Sequence, residues 1–465
     1  MTKVIETINN LFFNLTAGIT PAVIFPVVTG FLLLLFFIYY IVVLRPKSGT
    51  TEWINMETDK GRSTFLLTRY PLEKQDIAPL VMFPVFFFLL AFVNNSYTSL
   101  TDVSYIGLLF GILILVVLYT FIKNIFGKTA VAVCGTLLLG FDLMLFSHSR
   151  AAAICIYEVF FILLAFFFIY RYASTDVDAP FKESLKPLAL SGFFFGLGFA
   201  AGQAGLFAGA GIIIVLIIRI VLLGRHYKLN EKTGFGGYKA KTFLFFTLFF
   251  IVVPAVIYCL CYIPNGIFTG MSLRRGMLWD LTFYKQIWDG FTAGFPSGSR
   301  FVSIHPFTPV WWRWILGIRP VLQIDSMSST ITAISVIAVY GNPVLLWAGL
   351  PAMAVMAIRV FSHRDAAALF IITGFLSQIV PRVVETGSIL AFYHLPVTLF
   401  LVLALAHVLN TMIERKRSMY RLFVYGYTSL AGILFAVFYP IMSGLSMPRW
   451  YFTDLLPWFP ALWPF

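Results

Sequence analysis

Apolar residues run unbroken for about 20 positions at a time along most of this chain, and polar residues collect between the runs. Runs of that length match what an α-helix needs to cross a hydrocarbon layer. They do not alternate with period two, which excludes a transmembrane β-barrel. The pattern predicts about twelve spans, at residues 20–44, 79–94, 106–122, 129–146, 151–170, 187–201, 204–223, 243–263, 343–360, 366–381, 389–409 and 422–442. Several fall short of a full crossing, so their flanking residues continue them.

Composition agrees. Of 465 residues, 60% are hydrophobic and 11% charged, which fits a polytopic α-helical membrane protein and no water-soluble domain. A net charge of +13 would suggest nucleic acid on a soluble protein. Here Lys and Arg gather in short loops, as the positive-inside rule requires, and no nucleic-acid partner is expected. Loop 45–78 carries Arg45, Lys47, Lys60, Arg62, Arg69 and Lys74; loop 224–242 carries Arg225, Lys228, Lys232, Lys239 and Lys241; turn 410–421 carries Arg415, Lys416, Arg417 and Arg421. With twelve spans all three share the cytoplasmic side, and both termini lie outside. Cys134, Cys155, Cys259 and Cys261 sit inside apolar runs, so they read as small packing residues, not disulfides or metal ligands. The first strong apolar run is too long for a signal peptide and lacks a small-residue cleavage site.

This counting leaves one long outer segment, 264–342. Within it, residues 305–321 hold three tryptophans, two arginines and a His-Pro turn. Such a string is too polar and proline-rich to cross a bilayer, and reads as a re-entrant or interfacial element. Its arginines suit anionic groups such as a phosphate.

Several polar residues stand out, each beside a plainer reading. Asp142 and Glu158 are carboxylates within spans, a costly placement that points to function by default. Arg150, at an outer span end, is either an anion-binding or a snorkelling arginine; Arg319 invites the same two readings. His305 is a pocket or a turn histidine. Trp311, Trp312 and Trp314 are interfacial anchors or a sugar platform. Tyr393 and His394 open an apolar helix as packing or pocket residues.

The order of these strings carries a resemblance. His305-Pro306-Phe307, Trp311-Trp312-x-Trp314 and Arg319-Pro320-Val321 resemble the outer-loop signature of the protein O-mannosyltransferase family. Gly341-Asn342-Pro343 with Trp347, Phe392-Tyr393-His394-Leu395-Pro396, Tyr439-Pro440, Ser443-Gly444 and Pro448-Arg449-Trp450 resemble later motifs of that family, and Asp142 with Ser149-Arg150 an earlier one. The match runs over about residues 106–465, in order. It implies an all-α polytopic membrane protein of GT-C type, with about 12 transmembrane helices and its active face outside. Residues 1–78 read as an added N-terminal helix with a basic cytoplasmic loop, and 79–465 as the GT-C-like domain with extracytoplasmic loop 264–342.

The resemblance further implies transfer of a hexose, mannose in the family, from a polyprenyl phosphate to an extracytoplasmic acceptor hydroxyl. It implies no metal and no cofactor, the lipid-linked sugar being substrate. Partners are then membrane lipids, that donor and an acceptor protein or glycan, with homo- or hetero-oligomers left open. The setting is a bacterial plasma membrane. On this reading Arg150 and Arg319 hold the donor phosphate, and Asp142, His305, Trp311, Trp312, Trp314, Tyr393 and His394 line the pocket.

The sequence also departs from the family. The Asp-Glu pair of the first outer loop is absent, and Asp102 is the sole acid in residues 94–105. The base is therefore sought among Asp102, Glu158 and Asp289. An arginine expected near residue 388 is Ser388, with Arg382 as a substitute. Two alternatives follow: a degenerate non-catalytic homologue that binds a lipid-linked sugar or a partner subunit, and a membrane transporter.

Overall fold

The computed structural model describes residues 67–92, 105–150, 154–176, 179–230, 234–268, 284–285, 287–289, 321–322, 328–329, 333–335, 338–384, 394–415, 417–443, 447–448 and 450–451. Among them, nine helices are long and apolar enough to cross a membrane, or up to ten if one bent pair counts as a span. The helices are α1 (Ile77–Phe92), α2 (Tyr105–Phe126), α3 (Thr129–Gly140), α4 (Leu143–Arg150), α5 (Ile154–Ala173), α6 (Phe181–Ala201) and α7 (Gln203–Leu229). They continue as α8 (Phe235–Thr247), a π-helical turn (Leu248–Val252), α9 (Val253–Phe268), α10 (Pro343–His363), α11 (Ala366–Val384), α12 (Leu395–Glu414) and α13 (Ser418–Ser443). The expected span at 20–44 lies outside the described residues, and the count of twelve with it.

Burial follows the apolar pattern. Every residue of α12 from Leu395 to His407 is buried, because the helix is apolar all round and packs against α3, α10 and α11 on different sides. The stretch Phe235–Cys261 is the opposite case: 11% of its apolar window is buried, so it sits at the rim of the bundle with its side chains turned to hydrocarbon. α5 packs along α6 and against α2, and α7 packs along α11.

One span differs from its sequence expectation. Residues 129–146 read as a single crossing, but α3 and α4 meet at a bend of 61°. The cause is local. Asp142 caps α4, its carboxylate accepting the Leu145 N–H at 3.2 Å. Asn342 then clamps the bend. Its backbone N–H donates to Asp142 Oδ1 at 3.1 Å, and its Nδ2 donates to the carbonyls of Phe141 at 2.9 Å and Ala431 at 3.0 Å. Its Oδ1 accepts the Val344 N–H at 3.1 Å, capping α10 just ahead of Pro343. α4 itself lies tight on α2 at Gly111, where a Cβ would stand 2.3 Å from Ser149 Oγ.

The segment read as an outer loop carries short strands among its described residues: β1 (Val321–Leu322), β2 (Ser328–Ser329), β3 (Ala333–Ser335) and β4 (Ala338–Val339). β1 pairs with β4, and β3 pairs with both β2 and β5 (Met447–Pro448), so the tail is stitched to this segment.

The opposite end of the bundle holds buried charge. Lys123 lies 3.4 Å from Asp76 and 3.6 Å from Glu73, and donates to Thr129 Oγ1 at 3.0 Å. Tyr119 and Thr129 donate to Asp76 Oδ1 at 2.6 and 2.9 Å. In the turn between α10 and α11, Asp365 accepts from Arg359 at 3.1 Å and from the Ala367 and Ala368 N–H groups, and lies 2.8 Å from His407 Nε2.

Two expectations follow. Replacing Asn342→Ala removes a cap and leaves two buried carbonyls unmet, at about 1–3 kcal/mol for each buried group. Thermal unfolding in detergent should show a large loss of stability, and Asn342→Ser, which keeps the cap but not the two bonds, should recover only part. The second concerns acid. Burial alone would raise the Asp365 carboxyl, but His407, the Ala368 N–H and Arg359 outweigh it and hold it below its ordinary value of 3.8. Its contribution to stability is therefore complete above about pH 4 and lost as pH falls further. Melting temperature should drop on acidification below pH 4, and Asp365→Asn should be less stable at neutral pH with a shallower acid slope.

Candidate active site

At the end away from the buried lysine, five helices bring polar side chains into the apolar bundle. α4 ends on Arg150, 6% exposed, whose guanidinium carbon stands 5.9 Å from the ring centre of Phe146 one turn back. Its Nε and Nη2 meet no hydrogen-bond acceptor among the described residues. Buried polar groups are nearly always hydrogen-bonded, and these two donors are exceptions among the described residues. Tyr439, near the end of α13, lies within electrostatic reach of Arg150 and donates to the Leu90 carbonyl at 3.1 Å. Its ring also packs on Phe146, with 5.6 Å between centres.

Glu158, one turn into α5 and 3% exposed, has a different task. Its Oε1 accepts the Gly205 N–H at 2.9 Å, so it caps the N-terminus of α7 from a neighbouring helix. Two glycines make room. A Cβ on Gly202 would meet Glu158 Oε1 at 2.5 Å, and one on Gly205 would meet the Gly198 carbonyl oxygen at 2.1 Å. The break between α6 and α7 thus opens amide groups to a carboxylate that would otherwise be stranded in hydrocarbon.

Arg382, 1% exposed on α11, lies within electrostatic reach of both Glu158 and His394, with its guanidinium carbon 5.2 Å from the ring centre of Phe207. His394, 4% exposed, sits at the N-terminal cap of α12 as its sequence position suggests.

Of the residues singled out from sequence, Arg150, Glu158 and His394 come to this end of the bundle. Asp142 lies behind them as the clamp of the α3–α4 bend, its oxygens taken up by backbone amides. Asp289 is exposed in the helical stretch 287–289. Asp102, His305, Trp311, Trp312, Trp314, Arg319 and Tyr393 lie outside the described residues. Two contributors carried no role in the sequence reading. Arg382 appeared only as a substitute, although an arginine within an apolar run was itself the signal. Asn342 was one letter of a motif, and nothing local announces that it binds residues some 200 positions away. Among the described residues, no group of three or more His, Cys, Asp or Glu is placed to hold a metal.

The comparisons with known proteins agree with this architecture. The family model for dolichyl-phosphate-mannose-protein mannosyltransferases matches residues 28–266, a range that includes Asp102, Asp142, Arg150 and Glu158. A polyprenol-phosphate-mannose–protein mannosyltransferase of Mycolicibacterium smegmatis is 22% identical over 398 residues, covering 76% of this chain and 76% of that protein. One from Mycobacterium tuberculosis is 22% identical over 402 residues, covering 76% and 75%. The solved Saccharomyces cerevisiae protein O-mannosyltransferase Pmt1-Pmt2 complex, bound to the sugar donor, superposes with a TM-score of 0.66 at 10% identity over 86% of this chain and 94% of that one, which shows a shared fold. The bent α3–α4 pair and the helix order around it are thus set in a GT-C membrane bundle. Matched by the family model over more than half its length, the chain belongs to the dolichyl-phosphate-mannose-protein mannosyltransferase family.

Proposed function

We propose that this protein transfers a mannosyl group from a polyprenyl-phosphate donor to a hydroxyl of a protein acceptor, at the end of the bundle that carries Arg150. The observation that supports the reading is that buried arginine, with two donors unmatched among the described residues, at the end of a helix in a membrane bundle. The chemistry needs such a group. As the acceptor oxygen bonds to the anomeric carbon, the bond from that carbon to the phosphate oxygen breaks and its electron pair leaves with the phosphate. A fixed cation stabilises that growing negative charge. The acceptor proton must pass to a carboxylate. Attack opposite the leaving phosphate inverts the anomeric centre.

Arg150 and, from the segment 264–342, Arg319 hold the phosphate in this proposal. Asp102 is the base. Glu158 is the weaker candidate, because its Oε1 already accepts a backbone amide, and Asp289 remains a third. The buried His394 is assigned to the pocket wall with Tyr393, His305, Trp311, Trp312 and Trp314 in this proposal. Arg69, Lys74, Lys128, Arg225, Lys239, Arg415 and Arg421 populate the other end, which supports a cytoplasmic placement there and an outward-facing site in a bacterial plasma membrane. A protein acceptor, and a second subunit, are proposed from the names of the relatives above.

Turnover of polyprenyl-phosphate-mannose with an acceptor peptide, by purified protein in liposomes, tests the reading. Arg150→Ala should lower kcat by about 10²–10³-fold, as expected for losing a donor to a developing oxyanion. Asp102→Asn should lower it by about 10²–10⁴-fold with donor affinity retained. Donor binding without turnover in the wild-type protein would favour the non-catalytic homologue. Full activity in Asp102→Asn would move the base elsewhere.

A further inference from the structure

A cavity of about 1100 Å³ opens at the basic end of the bundle, between residues 67–73, the α2–α3 turn, the end of α5, the start of α6 and Glu414. It matches or exceeds the about 300–1,000 Å³ of ordinary ligand pockets. Arg171, on its wall, stands thirteen residues along α5 from Glu158, so about 20 Å separates it from the site above.

The charges lining the cavity are not evenly satisfied. Glu414 is held by Lys128 at 3.0 Å, and Glu73 lies 3.6 Å from the buried Lys123. Glu183 lies in the first turn of α6, three residues before Lys186, on the same helical face. Asp176 lines the cavity, its backbone carbonyl accepting from Arg219 at 3.5 Å and its charge acting on the same guanidinium. Arg69 and Arg171 face the same cavity, lie close enough for their charges to oppose, and form no ion pair among the described residues. Arg171 is held in place over the Phe167 ring, its guanidinium carbon 5.7 Å from the centre. Beside the two arginines the wall turns apolar at Phe168, Pro187 and Leu190, with Phe168 stacked on Phe194 at 5.5 Å.

Two guanidinium groups whose charges oppose, neither in an ion pair among the described residues, are stabilised by a shared anion, and their planar forks match phosphate oxygens. The nearby Asp176 and Glu183 weigh against a highly charged ligand, so a singly charged phosphodiester suits the cavity better than a free phosphate dianion. We infer that this cavity binds the phosphodiester headgroup of an anionic membrane lipid between Arg69 and Arg171, with the acyl chains along Phe168, Pro187 and Leu190.

The test uses the full-length protein in nanodiscs of phosphatidylcholine doped with phosphatidylglycerol, with retained lipid read by native mass spectrometry. The wild-type protein should keep phosphatidylglycerol in preference to phosphatidylcholine. The Arg69→Ala/Arg171→Ala double variant should lose that preference by about tenfold, the scale of lost charge-assisted hydrogen bonds. Arg421→Ala, at an exposed arginine on the same end and outside the cavity, should keep it. If the double alanine variant does not fold, Arg69→Lys/Arg171→Lys keeps the charge, loses the forks and should show a partial drop. Equal retention by wild type and double variant would overturn the proposal, as would an equal loss in Arg421→Ala. Displacement of the lipid by millimolar inorganic phosphate would overturn the lipid source and assign the arginine pair to free phosphate.

Discussion

The hydrogen bond from the Asn342 amide to Asp142 is the contact on which the Arg150 end of this bundle depends. A helix that stops inside an apolar bundle exposes amide and carbonyl groups that hydrocarbon cannot satisfy. Asp142 supplies acceptors to the amides that open α4, and Asn342 supplies donors to the Phe141 and Ala431 carbonyls. Without both, α3 would do better to continue straight. The polar string Ser147-His148-Ser149-Arg150 would then cross the apolar interior, with no reason for Arg150 to stop where it does. The same asparagine caps α10, so the bend, the start of α10 and the middle of α13 are set by one side chain.

That arrangement recurs with other chemistry where α6 gives way to α7. Here glycines clear the space and a carboxylate from α5 meets the exposed amides. The two breaks differ in what they leave over. At the first, every polar atom of Asp142 and Asn342 named above is matched by backbone, and Arg150 one helix later is left with open donors. At the second, Glu158 has a backbone donor and an arginine within reach. One end of the bundle thus holds a carboxylate with its needs met and a cation with its needs unmet. That imbalance is what supports the proposed phosphate site.

Much of this was legible in the sequence, and the limits are physical. Continuous apolar runs placed the described helices, with ends that differ by up to about eight residues, since burying a backbone in hydrocarbon allows few other solutions. The 61° bend was not legible, because Gly140-Phe141-Asp142 interrupts the apolar run by only one charged residue, and such a residue reads equally as a functional carboxylate inside a straight span. What decided it is a partner 200 positions away. Arg150 and His394 were legible as polar residues at span ends. The role of Glu158 was not, because cross-helix capping depends on where Gly202 and Gly205 come to rest.

The choice of base follows from the same comparison of met and unmet groups. A general base needs a free lone pair within about 3 Å of the acceptor hydroxyl, or one water away. Glu158 gives one oxygen to the amide that opens α7, and moving it would uncap that helix in a medium with no water to replace the bond. Asp142 is held more tightly still. Neither can swing toward a substrate without unmaking the scaffold that places Arg150. Asp142 and Glu158 therefore serve the shape of the bundle, which favours a proton acceptor from a segment outside the helices. Asp102, between α1 and α2 in sequence and in neither helix, is for that reason the base in the mechanism proposed above.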